Sequence, residues 1–509
     1  MQKKLLSNVQ ISLLSIGAMI GSGWLFAPYF AYKAVGITGA VDAWVILTII
    51  AIIIATCFAE VIFMLPISGG MTRFLKVTHG NTITFFLVIC GWVSYIVLVP
   101  LEAQSTIRYL SFWMPIFSNK VGNNIQLSLY GTMAAFVLIL LLTYVNTLII
   151  TKVANANSVA TIWKIIIPAL IILFVIFGYG SWEYFSNNIH TQKVVFKDVF
   201  NSISQDGLAL SLLGFQNGLL LSRQCKTPKK GIIYSLFLPL VIAATLYIGL
   251  SLTFAAVPST IDKTAIAPLL GLISSLGIQW LVIVLFMDAI ISPLGAGNVY
   301  ITFAGRVLHG IAKEYTPKSK FAKMNINDQP AYCLWLNALI ACIFLMPFPT
   351  WSALANFFAS IVALMYLSGP ITLLVLRAKA SDLERPFKVR CYKLVGYLGF
   401  IGCGLLIFWS GIKNMEYLTI MLAVLLIVSI ILGKHSARDT ANGILLVIYC
   451  GLMWLVGVMS GKLTFMQFPY DILTTIVISI IVCYLFTISS ESSETIKANI
   501  EEVLLTENS

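Results

Sequence analysis

The sequence predicts an all-α protein built into a membrane, on the evidence of its composition and of its hydropathy pattern. Hydrophobic residues make up 59% of the 509 residues and charged residues only 10%, with a mean hydropathy of +0.93. A water-soluble domain of this length does not reach such values. Apolar stretches of about 20 residues, the length that a helix needs to cross a bilayer, recur along the chain with short loops between them. We therefore expect a bundle of transmembrane helices.

About fourteen such stretches occur, which predicts 12 to 14 spans. In chain order they cover residues 11–34, 41–66, 83–110, 127–150, 158–179, 200–222, 231–257, 270–308, 331–347, 351–376, 394–412, 417–433, 442–460 and 471–489.

The first stretch follows Met-Gln-Lys-Lys, a beginning that a secretory signal peptide can also have. No small-residue cleavage site follows, and the apolar run continues through Gly21 and Pro28. We therefore interpret this stretch as the first membrane span.

The distribution of lysine and arginine predicts the orientation of the chain. If the N-terminus lies inside the cell, 23 of the 32 lysines and arginines fall in cytoplasmic loops, where such residues are normally enriched. We expect a protein of the cell's inner membrane with both termini in the cytoplasm. The net charge of +12 then indicates orientation and attraction to anionic lipid, and it does not indicate a nucleic-acid partner.

Residues that would hold a metal or a nucleotide are scarce. The nine cysteines include no Cys-x-x-Cys pair, and the four histidines lie in loops or at span ends. No Walker-type phosphate loop occurs. A cofactor, a buried metal site and ATP-driven transport are therefore not predicted.

The first span contains a run of small residues where it should cross the bilayer midplane. Gly17, Gly21, Ser22 and Gly23 fall within seven residues, and Pro28 follows. An unwound helix at this point would expose backbone N–H groups on one side and carbonyl groups on the other. Such a pair of ends suits the carboxylate and the ammonium of an amino acid. The alternative is that the glycines only allow a neighbouring helix to pack closely.

The sixth span contains a second run of this kind, Gly207 followed by Leu213-Gly214-Phe215-Gln216-Asn217-Gly218. Transporters built from inverted repeats have interrupted helices at matching positions in their two halves, with the substrate between them. The two breaks lie five spans apart. This spacing predicts a five-plus-five repeat.

Four motifs in order resemble the amino acid–polyamine–organocation permease family. They are Ile20-Gly21-Ser22-Gly23, Pro66-x-Ser68-Gly69-Gly70, Gly214-Phe215-Gln216 leading to Lys226-Thr227-Pro228-Lys229-Lys230, and Arg385-Pro386-Phe387. The resemblance covers residues 8 to 395. Within the family, Pro100-x-Glu102-Ala103 and the number of spans are most similar to the bacterial aspartate:proton symporter branch.

The resemblance implies the neurotransmitter-symporter-like fold, with a ten-helix core over residues 1–376 in repeats of about 8–180 and 198–376. Accessory helices would occupy residues 377–489, and residues 490–509 would form a polar cytoplasmic tail.

The same resemblance implies the substrate site. The backbone from Ile20 to Gly23 would hold the substrate carboxylate, and the backbone at Gly214 to Gln216 would hold its amine. Phe215 would close over the substrate as a gate. Arg223 and Thr227-Pro228 depart from the family pattern of Glu and Asn-Pro after the sixth span.

Ionisable residues inside the spans are candidates for ion coupling. Lys164 lies in the middle of the fifth span, where a charge is costly and needs a cavity or a partner. Because burial disfavours the charged amine, Lys164 is a candidate proton carrier, and the family resemblance implies a lysine at this place in proton-coupled members. The alternative is a permanently charged structural residue. Asp288 and Ser292, four residues apart on one face of the eighth span, could face Lys164, or Asp288 could bind a broken backbone.

Two glutamates complete the set of candidates. Glu102 in the third span is assigned equally to the substrate pocket or to packing, and Glu60 near the end of the second span is interpreted as a structural tie.

The sequence thus predicts a secondary transporter of a neutral or acidic amino acid that works by alternating access and is coupled to protons. Exchange of amino acids or carriage of a polyamine by the same fold remains an alternative. A membrane-embedded enzyme or a channel is the alternative of a different class. An enzyme would need a buried nucleophile or carboxylate pair with a base, and a channel would need polar rings along a pore; neither pattern is evident in the sequence.

Overall fold

The structure is a computed structural model, and it describes residues 8–65, 70–122, 124–148, 153–191, 194–215, 233–258, 266–383, 385, 387–432 and 436–508. Helices dominate these residues because a backbone in hydrocarbon has to satisfy its own hydrogen bonds. In chain order the helices are α1 (Asn8–Met19), α2 (Gly23–Met64), α3 (Phe74–His79), α4 (Asn81–Leu110), α5 (Leu129–Leu148), α6 (Val153–Tyr179), α7 (Trp182–Thr191), α8 (Phe196–Gln205), α9 (Leu208–Leu212), α10 (Leu238–Ala256), α11 (Pro268–Ser275), α12 (Gln279–Tyr315), α13 (Ala331–Phe344), α14 (Trp351–Tyr366), α15 (Ser368–Lys379), α16 (Tyr392–Trp409), α17 (Ile412–Leu432), α18 (Ala437–Gly461), α19 (Tyr470–Ser489) and α20 (Ser493–Asn508).

Among these residues, 11 helical stretches are long and apolar enough to cross a membrane. The 42 residues of α2 exceed one crossing, and Gly36 divides them into two arms with φ 70° and ψ −178°, a conformation that only glycine adopts readily. The shorter α13 is a further apolar helix, and α8 and α9 occupy the first part of the predicted sixth span. The 11 stretches, with α2 counted as two crossings, and α13 correspond to 13 of the predicted spans; the sixth, residues 200–222, is described only as far as Phe215.

The core of the bundle lies between the two halves of the chain. Helix α4 packs along α12, and α2 packs along α10. In the segment Trp351–Lys379, every residue of the most apolar 18-residue stretch is buried inside the protein. In Leu129–Leu148 and Tyr470–Ser489, only 28% of the residues in the corresponding stretch are buried. The central helices therefore pack against protein on all sides, and the outer helices present apolar side chains to lipid.

The predicted span 270–308 begins too early. Helix α11 is a separate short helix that ends before Gly277, whose φ of 74° turns the chain, and the long α12 begins at Gln279. The hydropathy pattern runs through the turn because its residues are also apolar.

Other elements were not predicted from the sequence because they are short or polar. Strands at Ser118–Val121 and Asn124–Leu127 form an antiparallel hairpin between α4 and α5. Helices α3, α7 and α20 lie outside the spans, and α20 packs on α3 through the Asn499 side chain, which donates to the Val77 carbonyl. We call the face that carries α20 the terminal face and the opposite one the distal face.

Glu60, interpreted from the sequence as a structural tie, has that geometry. Its Oε1 lies 2.7 Å from Nε of Arg377 and 3.1 Å from Nε of Arg385, and its Oε2 accepts a hydrogen bond from the Val389 backbone at 2.8 Å. The cluster joins α2 to α15 and to the loop that follows α15. Pro386, the next residue of the predicted motif, lies outside the described residues.

Candidate functional site

The first membrane span is interrupted where the glycine run predicts a break. Helix α1 ends at Met19, where the Ile20 N–H makes the last helical bond, to the Ile16 carbonyl at 2.9 Å, and α2 begins at Gly23. Ser22 precedes α2 but its side chain makes no capping bond. The break therefore presents the carbonyl end of one helix and the amide end of another inside the bundle, where both need partners.

Glu102 of α4 occupies the amide end of this break. Its Oε1 accepts a hydrogen bond from the Ser22 backbone N–H at 3.3 Å, and the residue is 3% exposed. Gly21 makes the approach possible, since a Cβ there would lie 2.7 Å from the same oxygen. The other oxygen, Oε2, is buried without a hydrogen-bond partner among the described residues. A carboxylate at the positive end of α2 is electrostatically favoured.

Lys164 of α6 occupies the carbonyl end. Its Nζ donates to the Ile20 carbonyl at 3.1 Å, and the side chain is buried. The Glu102 and Asp288 carboxylates both lie within electrostatic reach of this ammonium. Neither carboxylate forms an ion pair with Lys164: no oxygen of Glu102 or Asp288 lies within 4 Å of its Nζ. The break is thus flanked by one cation and one anion on opposite ends.

Asp288 and Ser292 lie on one buried face of α12, as their spacing predicts. Both carboxylate oxygens of Asp288 and the hydroxyl of Ser292 are buried without a hydrogen-bond partner within the described part of the chain. The structure therefore does not bring Asp288 into a bond with the broken backbone or into a direct ion pair with Lys164. The Asp288 carboxyl group is buried, and the Lys164 ammonium offsets its charge from a distance greater than that of an ion pair.

The sixth span also departs from regular helix. Gly207, with φ 81°, separates α8 from α9, and the Trp351 ring lies 2.5 Å from the position that a Cβ of Gly207 would take. After Leu212 the chain narrows to a 3₁₀ turn over Leu213–Phe215. The Leu213 carbonyl accepts a hydrogen bond from the Tyr366 hydroxyl.

The two interrupted spans meet at a small cavity of about 20 Å³, which is large enough for about one water molecule and too small for an amino acid. It is lined by Met19, Gly21, Ser22, Gly23, Tyr95, Leu98, Glu102, Leu210, Ser211, Gly214, Tyr300 and Phe358. A Cβ on Gly23 would lie 2.3 Å from Oγ of Ser211, so α2 and α9 are in contact here. The helices have to separate before a substrate can enter.

Of the residues predicted around the second break, Gly214 lines this cavity, whereas Phe215 does not. The Phe215 ring is fully buried and stacks on Tyr366 at 4.7 Å between ring centroids. Gln216, predicted at the same site, and the motif from Lys226 to Lys230 lie outside the described residues. The predicted gating role of Phe215 stays a prediction.

An aromatic layer closes the distal side of the break. The Trp351 indole N–H donates to Oγ of Ser22 at 3.0 Å, and its ring lies 4.9 Å from that of Phe26. Above Phe26 the guanidinium of Arg108 lies 4.8 Å from the ring centroid, and its Nε donates to the Ile266 carbonyl at 2.8 Å. A substrate that enters from the distal face has to pass this layer.

Sequence reasoning missed several of these residues. Arg108 lies near the end of the predicted span 83–110, where the sequence gives no sign that its side chain is buried; in the structure Arg108 is 6% exposed. Trp351 and Ser211 belong to apolar helices in which one polar atom gives no local signal. Their roles depend on contacts with residues that are far away in sequence.

Within the described residues no set of three or more His, Cys, Asp or Glu side chains converges on a point that a metal ion could occupy.

Comparisons with known proteins bear on the fold and the family. A sequence profile described as "Amino acid permease" matches residues 6–432. The glutamate/serine transporter AimA of Bacillus subtilis is 31% identical over 80% of this chain and 77% of its own length. The aspartate-proton symporter of the same organism is 27% identical over 86% of each chain. A solved mutant of the manganese transporter of Eremococcus coleocola is 13% identical, with a TM-score of 0.54 over 94% of this chain and 95% of that one, and this likeness concerns the fold alone.

Proposed function

The chain belongs to the amino acid permease family, and on that premise we propose that it is a secondary active transporter that carries an amino acid in symport with protons by alternating access. Its relatives are transporters of amino acids, and the protein is a transporter rather than an enzyme. The observation that carries the coupling proposal is the hydrogen bond from the Ser22 amide to the Glu102 carboxylate at the helix break.

Glu102 occupies the place that the substrate carboxylate needs. The start of α2 has few backbone amides that are free of helical hydrogen bonds, and the Ser22 amide is bonded to Glu102. Two carboxylates cannot share such a position in their charged forms, because like charges at contact distance disfavour one another strongly. The substrate carboxylate can bind only if Glu102 moves away or becomes neutral.

Protonation of Glu102 supplies this neutral form. A proton taken from the side of higher proton concentration binds to the carboxylate, which then releases the Ser22 amide to the substrate carboxylate. When the site opens to the other side, the amino acid leaves and the Ser22 amide becomes free. Glu102 then loses its proton, and its carboxylate bonds to the Ser22 amide again. One proton accompanies one amino acid in this cycle.

Lys164 stabilises the charged form of Glu102 in the substrate-free state and holds the Ile20 carbonyl. When Glu102 becomes neutral, the substrate carboxylate replaces its negative charge near the Lys164 ammonium. With the substrate ammonium and side chain counted, the net charge of the site is unchanged for an acidic amino acid and rises by one for a neutral one. Asp288 supplies a second negative charge within electrostatic reach of Lys164. In this proposal Lys164 and Asp288 take part in coupling through their charges, while Glu102, rather than Lys164 as predicted from the sequence, carries the proton.

The substrate class proposed is an acidic or small polar amino acid. The names of the two Bacillus subtilis relatives specify glutamate, serine and aspartate. Arg108 provides a buried cation directly above the aromatic layer, on the distal approach to the break. An acidic side chain gains from this cation during entry, whereas a neutral one does not.

We propose that the protein lies in a bacterial-type inner membrane with its terminal face on the cytoplasmic side. The lysine and arginine bias supports this orientation. The distal face is then outside the cell, where the aromatic layer separates the medium from the break.

Uptake of radiolabelled aspartate, glutamate and serine into proteoliposomes tests the proposal. Accumulation is expected when the lumen is alkaline relative to the medium, and it should not require sodium. Uptake that depends on sodium and ignores the pH gradient would disprove proton coupling. Uptake that occurs only against an amino acid loaded inside the vesicles, measured as counterflow, would instead show an exchanger.

A further inference from the structure

A second and larger cavity opens on the distal face. Its volume of about 480 Å³ lies in the range of small-molecule binding sites. The walls come from α8 and α14, from the end of α16 and the start of α17, and from the end of α18 and the start of α19, with the loops that join these ends. It shares no lining residue with the cavity at the helix break.

Two residues that line this cavity each have a buried polar side-chain atom without a hydrogen-bond partner among the described residues. These atoms are the indole Nε1 of Trp409, a hydrogen-bond donor, and the side-chain oxygen Oδ1 of Asn356, an acceptor. The Trp409 ring is fixed, because it stacks on Phe200 at 5.1 Å with an interplanar angle of 3°. A buried donor and a buried acceptor without partners each cost free energy that a bound ligand can recover.

Charged groups in the same cavity are also uncompensated. Asp471 is 4% exposed; it accepts hydrogen bonds at 2.8 Å from the Ser460 hydroxyl and at 2.8 Å from the Ile472 amide. Among the described residues no cation pairs with this carboxylate, and the exposed Lys197 and Lys413, which also line the cavity, have no ion-pair partner. A buried carboxylate without a counter-ion is costly.

We propose that this cavity is a second binding site for a free amino acid, in its zwitterionic form. The ammonium group binds to Asp471 and the Asn356 oxygen, and the carboxylate binds to the Trp409 N–H and the two lysines. The apolar part of the ligand packs on the Phe200 and Trp409 rings. The choice of an amino acid as ligand rests on the proposed function, while the requirement for separated positive and negative groups comes from the cavity itself.

The position of the cavity makes occupancy relevant to transport. Helix α8 leads through Gly207 into the second break, and Asn356 lies on α14, which also contributes Trp351 to the aromatic layer. A ligand in the cavity connects α8 and α14 to the accessory helices α17 to α19. Because α8 continues through Gly207 into α9, which has to separate from α2 before a substrate can enter, we expect external amino acid bound here to slow transport at high concentration.

Equilibrium binding of radiolabelled glutamate to the purified full-length protein in lipid nanodiscs tests the inference. The wild type should bind at two classes of site. Asp471→Asn keeps the shape and the Ser460 contact but removes the charge, and it should weaken the distal class by about tenfold or more while leaving the other class intact. Trp409→Phe keeps the ring stack and removes the donor, and it should weaken the same class. Lys462→Ala removes a lysine that does not line this cavity and should change neither class.

The variant Gly23→Ala, which obstructs the break, separates this inference from the proposed function. It should retain the distal class alone. If it binds no amino acid while the wild type binds at one class of site, the distal site does not exist. If the distal class survives in Gly23→Ala but the wild type shows no second class, the proposed function fails and the distal site stands. Distal binding that is unaffected by both Asp471→Asn and Trp409→Phe would overturn the inference.

Discussion

The backbone amide of Ser22 donates a hydrogen bond to Oε1 of Glu102 over 3.3 Å, which joins the start of α2 to α4 across 80 residues of sequence. Lys164 donates to the Ile20 carbonyl on the other side of the same break. The substrate-free site thus already contains a carboxylate and an ammonium at the two ends that a zwitterion would occupy. An arriving amino acid competes with these groups, which is the physical basis of the coupling that we propose.

Replacement of Lys164 tests the carbonyl end of the break. Lys164→Ala removes the donor to Ile20 and the positive charge that faces Glu102 and Asp288, so we expect loss of gradient-driven accumulation in proteoliposomes. Lys33→Ala, on the exposed part of α2, is the matched control and should transport normally. Full accumulation by Lys164→Ala would remove this residue from the coupling mechanism.

The contact between the two interrupted spans is tested at Gly23. In Gly23→Ala the new methyl group would lie 2.3 Å from Oγ of Ser211, so α2 and α9 cannot close as they do here. Overpacking of this kind costs about 1–3 kcal/mol, and we expect transport to fall strongly while the protein still folds. Gly178→Ala is the control, because nothing lies within 4 Å of its added Cβ. Normal transport by Gly23→Ala would show that closure at this point is not part of the cycle.

The cluster around Glu60 should matter for stability rather than for substrate recognition. Glu60→Gln leaves the buried guanidinium groups of Arg377 and Arg385 without their counter-charge, and breaking a buried pair of this kind costs about 3–5 kcal/mol. The expected result is a lower unfolding midpoint in a thermal-shift assay. Asp382→Asn, which breaks the exposed pair with Lys497, should leave the midpoint almost unchanged. Equal midpoints for both variants would contradict this interpretation.

Acid should destabilise the terminal face through His79. Burial lowers the pKa of His79 from 6.5 to about 4; its Nε2 lies 2.8 Å from the Phe486 carbonyl and its Nδ1 lies 2.8 Å from the Thr78 hydroxyl. The folded protein therefore binds fewer protons than the unfolded chain between these values, so stability is full above pH 6.5 and is lost as the pH falls through this window. At pH 5 the loss is about 2 kcal/mol. Thermal unfolding at pH 7 and pH 5 measures it, and His79→Gln should reduce the difference; an unchanged difference would assign the acid effect to other groups.

The break in the first span could be predicted from the sequence because several glycines close together destabilise a membrane helix. Its electrostatic surroundings were only partly predictable. Lys164 was identified by its depth in an apolar span, but its contact with Ile20 joins residues 144 positions apart. Glu102 was assigned equally to the pocket or to packing, and only the packing of α4 against the break places it at Ser22.

Other features had no local signal in the sequence. Arg108 looks like a residue of an external loop because it lies at the end of a span, yet its side chain turns inward over Phe26. The bond from Trp351 to Ser22 joins residues 329 positions apart. Short helices such as α3 and α11 were missed or merged with a neighbouring span, since their apolar residues contain too few turns to be separated by hydropathy.

Proton uptake on substrate binding tests the central claim most directly. Purified protein in a weakly buffered solution with a pH indicator should take up about one proton for each glutamate bound at the break, in the pH range where Glu102 is charged before binding. Glu102→Gln keeps an oxygen that can accept from Ser22 but cannot be protonated in this range, so it should bind glutamate with no proton uptake. Equal proton uptake by the wild type and Glu102→Gln, or none by either at saturating glutamate, would contradict the account.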